Sequence, residues 1–409
     1  MAAASDPVQI EEISGGATAP IGFTATGVSC GLKKAGVLDL ALVDAGAVVP
    51  AAAVFTTNRV AAAPVLVSRR HLAGGVARAV VINAGNANAC TGAAGEQASI
   101  MTAQAVADAL GCESEHVAVC STGVIGVPLP LERVLGGIDA AVASLTPEGA
   151  DAAAHAIMTT DTFVKQAACV VEHDGTRYTV GAMAKGSGMI KPNMATMLGV
   201  ITTDAPLTTE ACDAALRSAV NATFNRVTVD SDTSTNDTVV LFANGAAGGA
   251  AISPGSPAYD VVAVGVHSVA ERLARMLARD GEGATKLVSV IVSGAASDAD
   301  AERAAFAIAD SPLVKTALFG NDANWGRVAM AVGKSGATFD PDDLAITFAG
   351  IEVCSGGTAV PFDEDEAHAA LDREEVSIEV DLGAGPASAT VLTCDLSYEY
   401  VRINGEYRS

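Results

Sequence analysis

Aromatic residues are scarce: ten Phe, five Tyr and one Trp make up 4% of the 409 residues, although half the chain is apolar. A core with so few rings must be built from Ala, Val, Leu and Ile, which suits closely packed layers of helix and sheet. Cations are scarce too, 24 Lys and Arg against 47 Asp and Glu, for a formal charge of −23. That balance argues against nucleic acid or an anionic membrane surface as the main partner and leaves a small polar substrate open. The six histidines include no H-x-x-x-H pair, and the eight cysteines (30, 90, 112, 120, 169, 212, 354 and 394) no C-x-x-C pair. Metal catalysis therefore has little support, and reduced, mostly buried thiols in a cytoplasmic protein are expected. No uninterrupted apolar run reaches the roughly 18 residues that a membrane span needs. The N-terminus, Met1-Ala2-Ala3-Ala4-Ser5-Asp6, lacks the basic region and apolar core of a signal peptide, and Glu11-Glu12 speaks against a transit peptide.

Several motifs are approached and missed. Gly333-Lys334-Ser335 resembles the end of a phosphate loop, but the position that needs its first glycine is Val328. Asp230-x-Asp232-x-Ser234 opens like a calcium loop, yet Thr235 stands where glycine is required and Leu241 where glutamate is. The 281–286 run has too few glycines in register for a dinucleotide fingerprint, and no G-x-S-x-G offers a serine-hydrolase elbow.

What is present is an alternation of strand-like and helix-like segments, an α/β pattern. Strands are expected at 79–83, 116–120, 166–172, 177–184, 238–243, 285–292, 313–319, 343–349, 375–381 and 388–395. Helices are expected at 96–110, 131–145, 208–223 (with Thr208 as cap and Glu210 in its first turn), 258–279 and from Ser297-x-x-Asp300 to about 309. The turn His173-Asp174-Gly175 implies an antiparallel pair, so the sheets are mixed. Residues 1–18 read as a weakly ordered lead-in, and Asp363-Glu364-Asp365-Glu366 as a solvated acidic loop. No linker marks a structural domain boundary.

The most concentrated signal lies mid-chain, from Lys185 through Gly186, Gly188 and Pro192 to Thr196 and Leu198. Two glycines permit unusual backbone, and proline fixes one angle and biases Lys191 toward extended geometry. Short polar runs accompany it at predicted strand ends: Asn83 to Asn88, Ser121 to Gly126, Thr159-Thr160-Asp161-Thr162, Asp230 to Thr238, and Gly320 to Arg327. Strand ends and loops are where sites concentrate.

Lys185–Leu198, read with Ser121-Thr122-Gly123-Val124-Ile125-Gly126 and Thr159-Thr160-Asp161-Thr162, resembles the ornithine acetyltransferase family, glutamate N-acetyltransferases of arginine biosynthesis. Asp232 to Thr238, Gly281-Glu282-Gly283-Ala284-Thr285-Lys286, Asn324-Trp325-Gly326-Arg327 and Asn404 to Ser409 extend the resemblance over nearly the whole chain from about residue 20. It implies a layered α/β/β/α architecture with mixed sheets, like that of related self-cleaving aminopeptidases. It also implies self-cleavage between Ala195 and Thr196, into an α chain of 1–195 and a β chain of 196–409, paired in an oligomer such as α2β2. Thr196 becomes the N-terminal nucleophile, Thr122 and Gly123 the oxyanion hole, and Thr159 or Thr160, Lys185, Thr196, Glu282, Asn404 and Ser409 the substrate contacts. No metal or cofactor is implied; acetyl-CoA is allowed as a second acetyl donor beside N-acetylornithine.

The implied chemistry is intelligible without the family. A freed α-amine ordinarily titrates at about 7.7–8.0, so near neutral pH it can serve as base for its own hydroxyl. The competing readings are an N-terminal-nucleophile amidase or aminopeptidase on the same scaffold, and a non-catalytic binding protein whose chain stays uncut.

Overall fold

In the computed structural model, residues 8–191 and 197–406 are described. Among them, nine strands form one sheet that folds back on itself. The pivot is the long strand Leu40–Phe55, whose first part pairs with Thr24–Val28 and Val76–Asn86 and whose last part pairs with Thr238–Ala243. Its register breaks between Asp44 and Val49, where Gly46 takes φ +78°. Left-handed backbone is free of steric cost only for glycine, so the bend sits where no side chain opposes it. One half of the sheet continues through Leu198–Thr203, Thr176–Lys185, Lys165–His173 and Ile10–Ile13; the other ends with Val117–Val124 parallel to Val76–Asn86.

Alternating residues explain the layering. Met183, Leu198, Val200 and Phe242 of one half and Ala41, Val43, Ile82 and Cys120 of the other share one buried core, joined by Ala153 and Ile157 of helix Ala150–Ile157. Their strand neighbours point outward: Val180, Ala182, Ile201 and Leu241 pack on helices Thr209–Ala222 and Pro257–Arg279. Likewise Leu40, Leu42, Val81 and Val119 pack on Gly92–Leu110 and Leu131–Ala143. Period-two strands buried on both faces thus give the expected α/β/β/α order. The interfaces are mostly aliphatic, as the shortage of rings requires.

A further six-stranded mixed sheet among the described residues runs in the order Thr358–Ala359, Ile351–Ser355, Ala345–Phe348, Glu375–Asp381, Leu287–Ala295, Ala387–Cys394. It forms its own core with helices Asp298–Ala309 and Trp325–Gly333. Caps fall where the sequence places them: Thr208 accepts from the Ala211 N–H and Ser297 from the Asp300 N–H. Asp174 and Gly175, both with positive φ, close the expected antiparallel hairpin.

Four expectations fail. Residues 313–319 are not a strand but helix Pro312–Phe319; Pro312 stands at its first turn and Val314, Ala317 and Leu318 share its buried side, a helical spacing in a run too short to distinguish by apolarity. The acidic run is not a loop: Asp363 accepts the Asp365 and Glu366 N–H groups and opens helix Glu364–Leu371, whose dipole favours acids there. The lead-in is partly ordered, since Ile10–Ile13 pairs with Lys165–His173 and Ala17 is buried. The Gly320–Arg327 run links two helices and enters the second, with Asn324 as its cap, rather than ending a strand.

Candidate active site

The two parallel strands Val76–Asn86 and Val117–Val124 end side by side, and their ends build one wall of the site. A Cβ on Gly123 would fall 2.3 Å from the Gly85 carbonyl carbon and 2.6 Å from the Asn86 nitrogen, and φ there is +131°, so only glycine fits. The loop before Thr238–Ala243 docks on these ends through Asn236, whose Nδ2 donates to the carbonyls of Ala87 (2.6 Å) and Ser121 (2.8 Å). Buried amide and hydroxyl groups at strand ends must find such partners, which fixes the loop's position.

Between these elements lies a cavity of about 460 Å³, lined by Thr122, Gly123, Thr159, Thr160, Lys185, Glu282 and Asn404. These residues come from distant parts of the chain, and all were expected in the site. Both Thr159 and Thr160 line it, so the choice between them is not made by position. Ala195, Thr196 and Ser409 lie outside the described residues.

Lys185 ends its strand buried among hydroxyls and acids. Its Nζ donates to Thr159 Oγ1 at 2.8 Å and to Thr122 Oγ1 at 3.2 Å, with Asp161 Oδ2 at 4.0 Å. Because Thr122 accepts from Lys185, its own hydroxyl proton is left for another acceptor. Burial pushes the Lys185 ammonium below its ordinary pKa, and Asp161 opposes that shift. Burial would raise Asp161, but the ammonium groups of Lys185 and Lys165 and its hydrogen bonds outweigh it and hold the carboxyl well below the usual range. Across the cavity Glu282 accepts from Asn404 Nδ2 at 2.8 Å, so helix Tyr398–Glu406 is tied into the site. Gly188 faces the same carboxylate closely.

Several contributors to the site carry little signal in the sequence. Asp161 and Asp230 sit inside the polar runs but had no role assigned to them. Asp230 accepts the N–H groups of Met189 (2.5 Å) and Ile190 (2.8 Å), anchoring the mid-chain stretch instead of calcium. Asp237, also within a polar run, accepts the N–H of Met197 at 3.0 Å, and burial pushes its carboxyl well above the ordinary range. Lys165 and Asp280 had no signal, each being one charge at the edge of an ordinary element. Tyr400 lines the cavity and was found only by folding the C-terminus back.

Layers and cavity together define the class, an α/β/β/α enzyme whose polar site is assembled where the strands of both sheet halves end. The chain belongs to the ArgJ family, whose family pattern matches residues 24–409. Among its relatives is the arginine biosynthesis bifunctional protein ArgJ of Symbiobacterium thermophilum, 52% identical over 402 residues that cover 98% of this chain and 100% of that protein. The protein of the same name from Geobacter sulfurreducens is 49% identical over 389 residues, 95% of this chain and 99% of its own. A crystal structure of the Bacillus halodurans protein of that name is 42% identical and covers 50% of this chain and 97% of its own, with TM-score 0.49.

Proposed function

We propose that this enzyme of arginine biosynthesis transfers an acetyl group from N-acetylornithine to glutamate through an acetyl ester on Thr196, after cutting its own chain between Ala195 and Thr196. The observation that carries the proposal is the convergence of Thr122, Gly123, Lys185, Glu282 and Asn404 on one cavity. In the first half-reaction the Thr196 hydroxyl adds to the acetyl carbonyl while its α-amine takes the hydroxyl proton. The tetrahedral oxyanion receives the Thr122 hydroxyl and the Gly123 N–H, a pair that acts only where charge develops. Lys185, donating to Thr122 Oγ1, polarises that hydroxyl. Collapse breaks the C–N bond, the proton passes to the leaving amine, and ornithine departs. Glutamate then attacks the ester with its α-amine, N-acetylglutamate leaves, and the Thr196 hydroxyl is restored.

The two amino acids share an α-carbon and differ at the side-chain end, one ammonium and one carboxylate. Lys185 uses two of its N–H groups on Thr159 and Thr122, leaving one for a substrate carboxylate, and Glu282 takes an ammonium. Thr159, Thr160, Asn404 and Ser409 complete the contacts. The chemistry requires no metal and no cofactor. Relatives named bifunctional support a second donor, for which acetyl-CoA is the proposal. The working form is cytoplasmic, with 1–195 and 196–409 paired as α2β2.

The test joins mass to product. Intact mass under denaturing conditions should give two fragments, the second beginning at Thr196, and N-acetylornithine plus glutamate should give N-acetylglutamate. Thr196→Ala should abolish both. A full-length chain that stays whole, or free acetate as the product, would sink the reading in favour of a binding protein or an amidase respectively.

A further inference from the structure

Behind the cavity wall sits a charged cluster, Asp161, Lys165 and Asp280, whose members do not themselves line the cavity. Lys165, at the start of strand Lys165–His173, has a side chain with no exposed surface, an unusual position for an ammonium. Its Nζ donates to Asp161 Oδ1 at 2.7 Å and to Asp280 Oδ2 at 2.5 Å, and lies 5.0 Å from the centre of the Phe163 ring. Both acids hold backbone of the active site. Asp161 accepts the N–H of Gly186 (2.7 Å), next to Lys185, and the N–H of Thr159 (2.9 Å). Asp280 accepts from Thr162 through its N–H and its hydroxyl, and the Asp280 carbonyl accepts from Ser187 Oγ at 2.5 Å. The Glu282 N–H in turn donates to the Ser187 carbonyl at 2.9 Å.

We propose that Lys165 is a positioning residue for acetyl transfer: by joining Asp161 to Asp280 it sets the distance between the Thr159–Lys185 side of the cavity and the Glu282 side. No other cation bonds to both acids among the described residues. Lys165 and Asp280 are 115 residues apart in sequence, and their ion pair joins the two sides alongside the bonds of Ser187 to the Asp280 carbonyl and the Glu282 N–H and of Thr162 to Asp280. An ammonium does this where an apolar side chain would not, because two carboxylates facing each other across a dry gap repel unless a cation lies between them. A site serving two substrates of opposite side-chain charge depends on that spacing, and an error of about 1 Å costs on the order of 100-fold in rate.

The proposal rests on the transfer reaction above, and wild-type enzyme assayed beside the variants separates the two: a wild type without transfer overturns both. Lys165→Met keeps the buried stem and removes the ammonium; kcat/KM for acetyl transfer should fall about 100-fold. It also leaves a buried carboxylate unpaired and lowers Tm. The deciding variant is therefore Lys165→Met with Asp280→Asn, which removes one charge of each sign and leaves Lys185 as counter-ion to Asp161. That double variant should regain most of the lost Tm while kcat/KM stays at least about 30-fold low. Recovery of both would show that Lys165 only neutralises charge and would overturn the proposal. Thr162→Val, at an exposed residue that holds Asp280, decides should the double variant not fold. It should keep Tm and lose kcat/KM several-fold, and unchanged kcat/KM would overturn the proposal.

Discussion

At the scale of single residues, the site is built from groups whose neighbours leave them one free function each. Thr122 accepts from Lys185 and so can donate its hydroxyl proton forward. Thr122→Val keeps the shape and removes the donor: kcat should fall roughly 100- to 1,000-fold with KM little changed, as steady-state kinetics would show. Equal loss in kcat and KM-weighted binding would instead make Thr122 a substrate contact. Gly188 is needed for space, not for backbone freedom. A Cβ there would lie 2.4–2.6 Å from the Glu282 carboxylate atoms, within reach of a clash that only movement of Glu282 relieves. Gly188→Ala should leave the fold intact and raise KM about tenfold, the worth of one weakened charge-assisted contact. An unchanged KM would remove Glu282 from the substrate contacts.

At the scale of elements, the anchoring of the Lys185–Lys191 segment is pH-dependent. Asp230 receives the Met189 and Ile190 N–H groups, yet burial outweighs them and pushes its pKa from 3.8 up to about 6. Between those values the folded chain holds a proton that the unfolded chain releases. The stabilisation from this group is therefore complete below about pH 4 and is lost as pH rises through about 6. Asp230→Asn cannot titrate, so wild type should lose about 2–3 kcal/mol relative to the variant between pH 4 and 7. Urea denaturation at the two pH values measures it; a difference of opposite sign would refute the burial account. Elements with strong local signals were legible: capped helices such as Thr209–Ala222 and Asp298–Ala309, and hairpin strands on either side of Asp174-Gly175. Helix Pro312–Phe319 was not, since its apolar run suits a strand equally and the choice falls to packing against the second sheet.

At the scale of the molecule, strands on either side of the proposed cut are neighbours in one sheet. Val180–Lys185 pairs antiparallel with Leu198–Thr203, which pairs with Thr238–Ala243, which pairs with Ala51–Phe55, back on the N-terminal side of the proposed cut. Segments on either side of residue 196 therefore alternate across shared hydrogen bonds and a shared core, and the proposed cut would leave two chains so interleaved. They should elute as one species in native size exclusion and separate only in denaturant; separation without denaturant would contradict this interleaving. Composition alone determined that the core is aliphatic, because few rings are available to fill it, and the alternation of segments pointed to α/β; the layer order came with the family resemblance. The motif order alone pointed to the family and to most of the cavity's lining, because residues that meet substrate leave short, unusual polar runs. Only the tertiary structure decided how those runs converge, that Lys185 donates to Thr122, and that Lys165 and Asp280 stand behind them. A lone lysine and a lone aspartate separated by more than a hundred residues carry no mark in sequence, and their meaning arises when the fold removes water from between them.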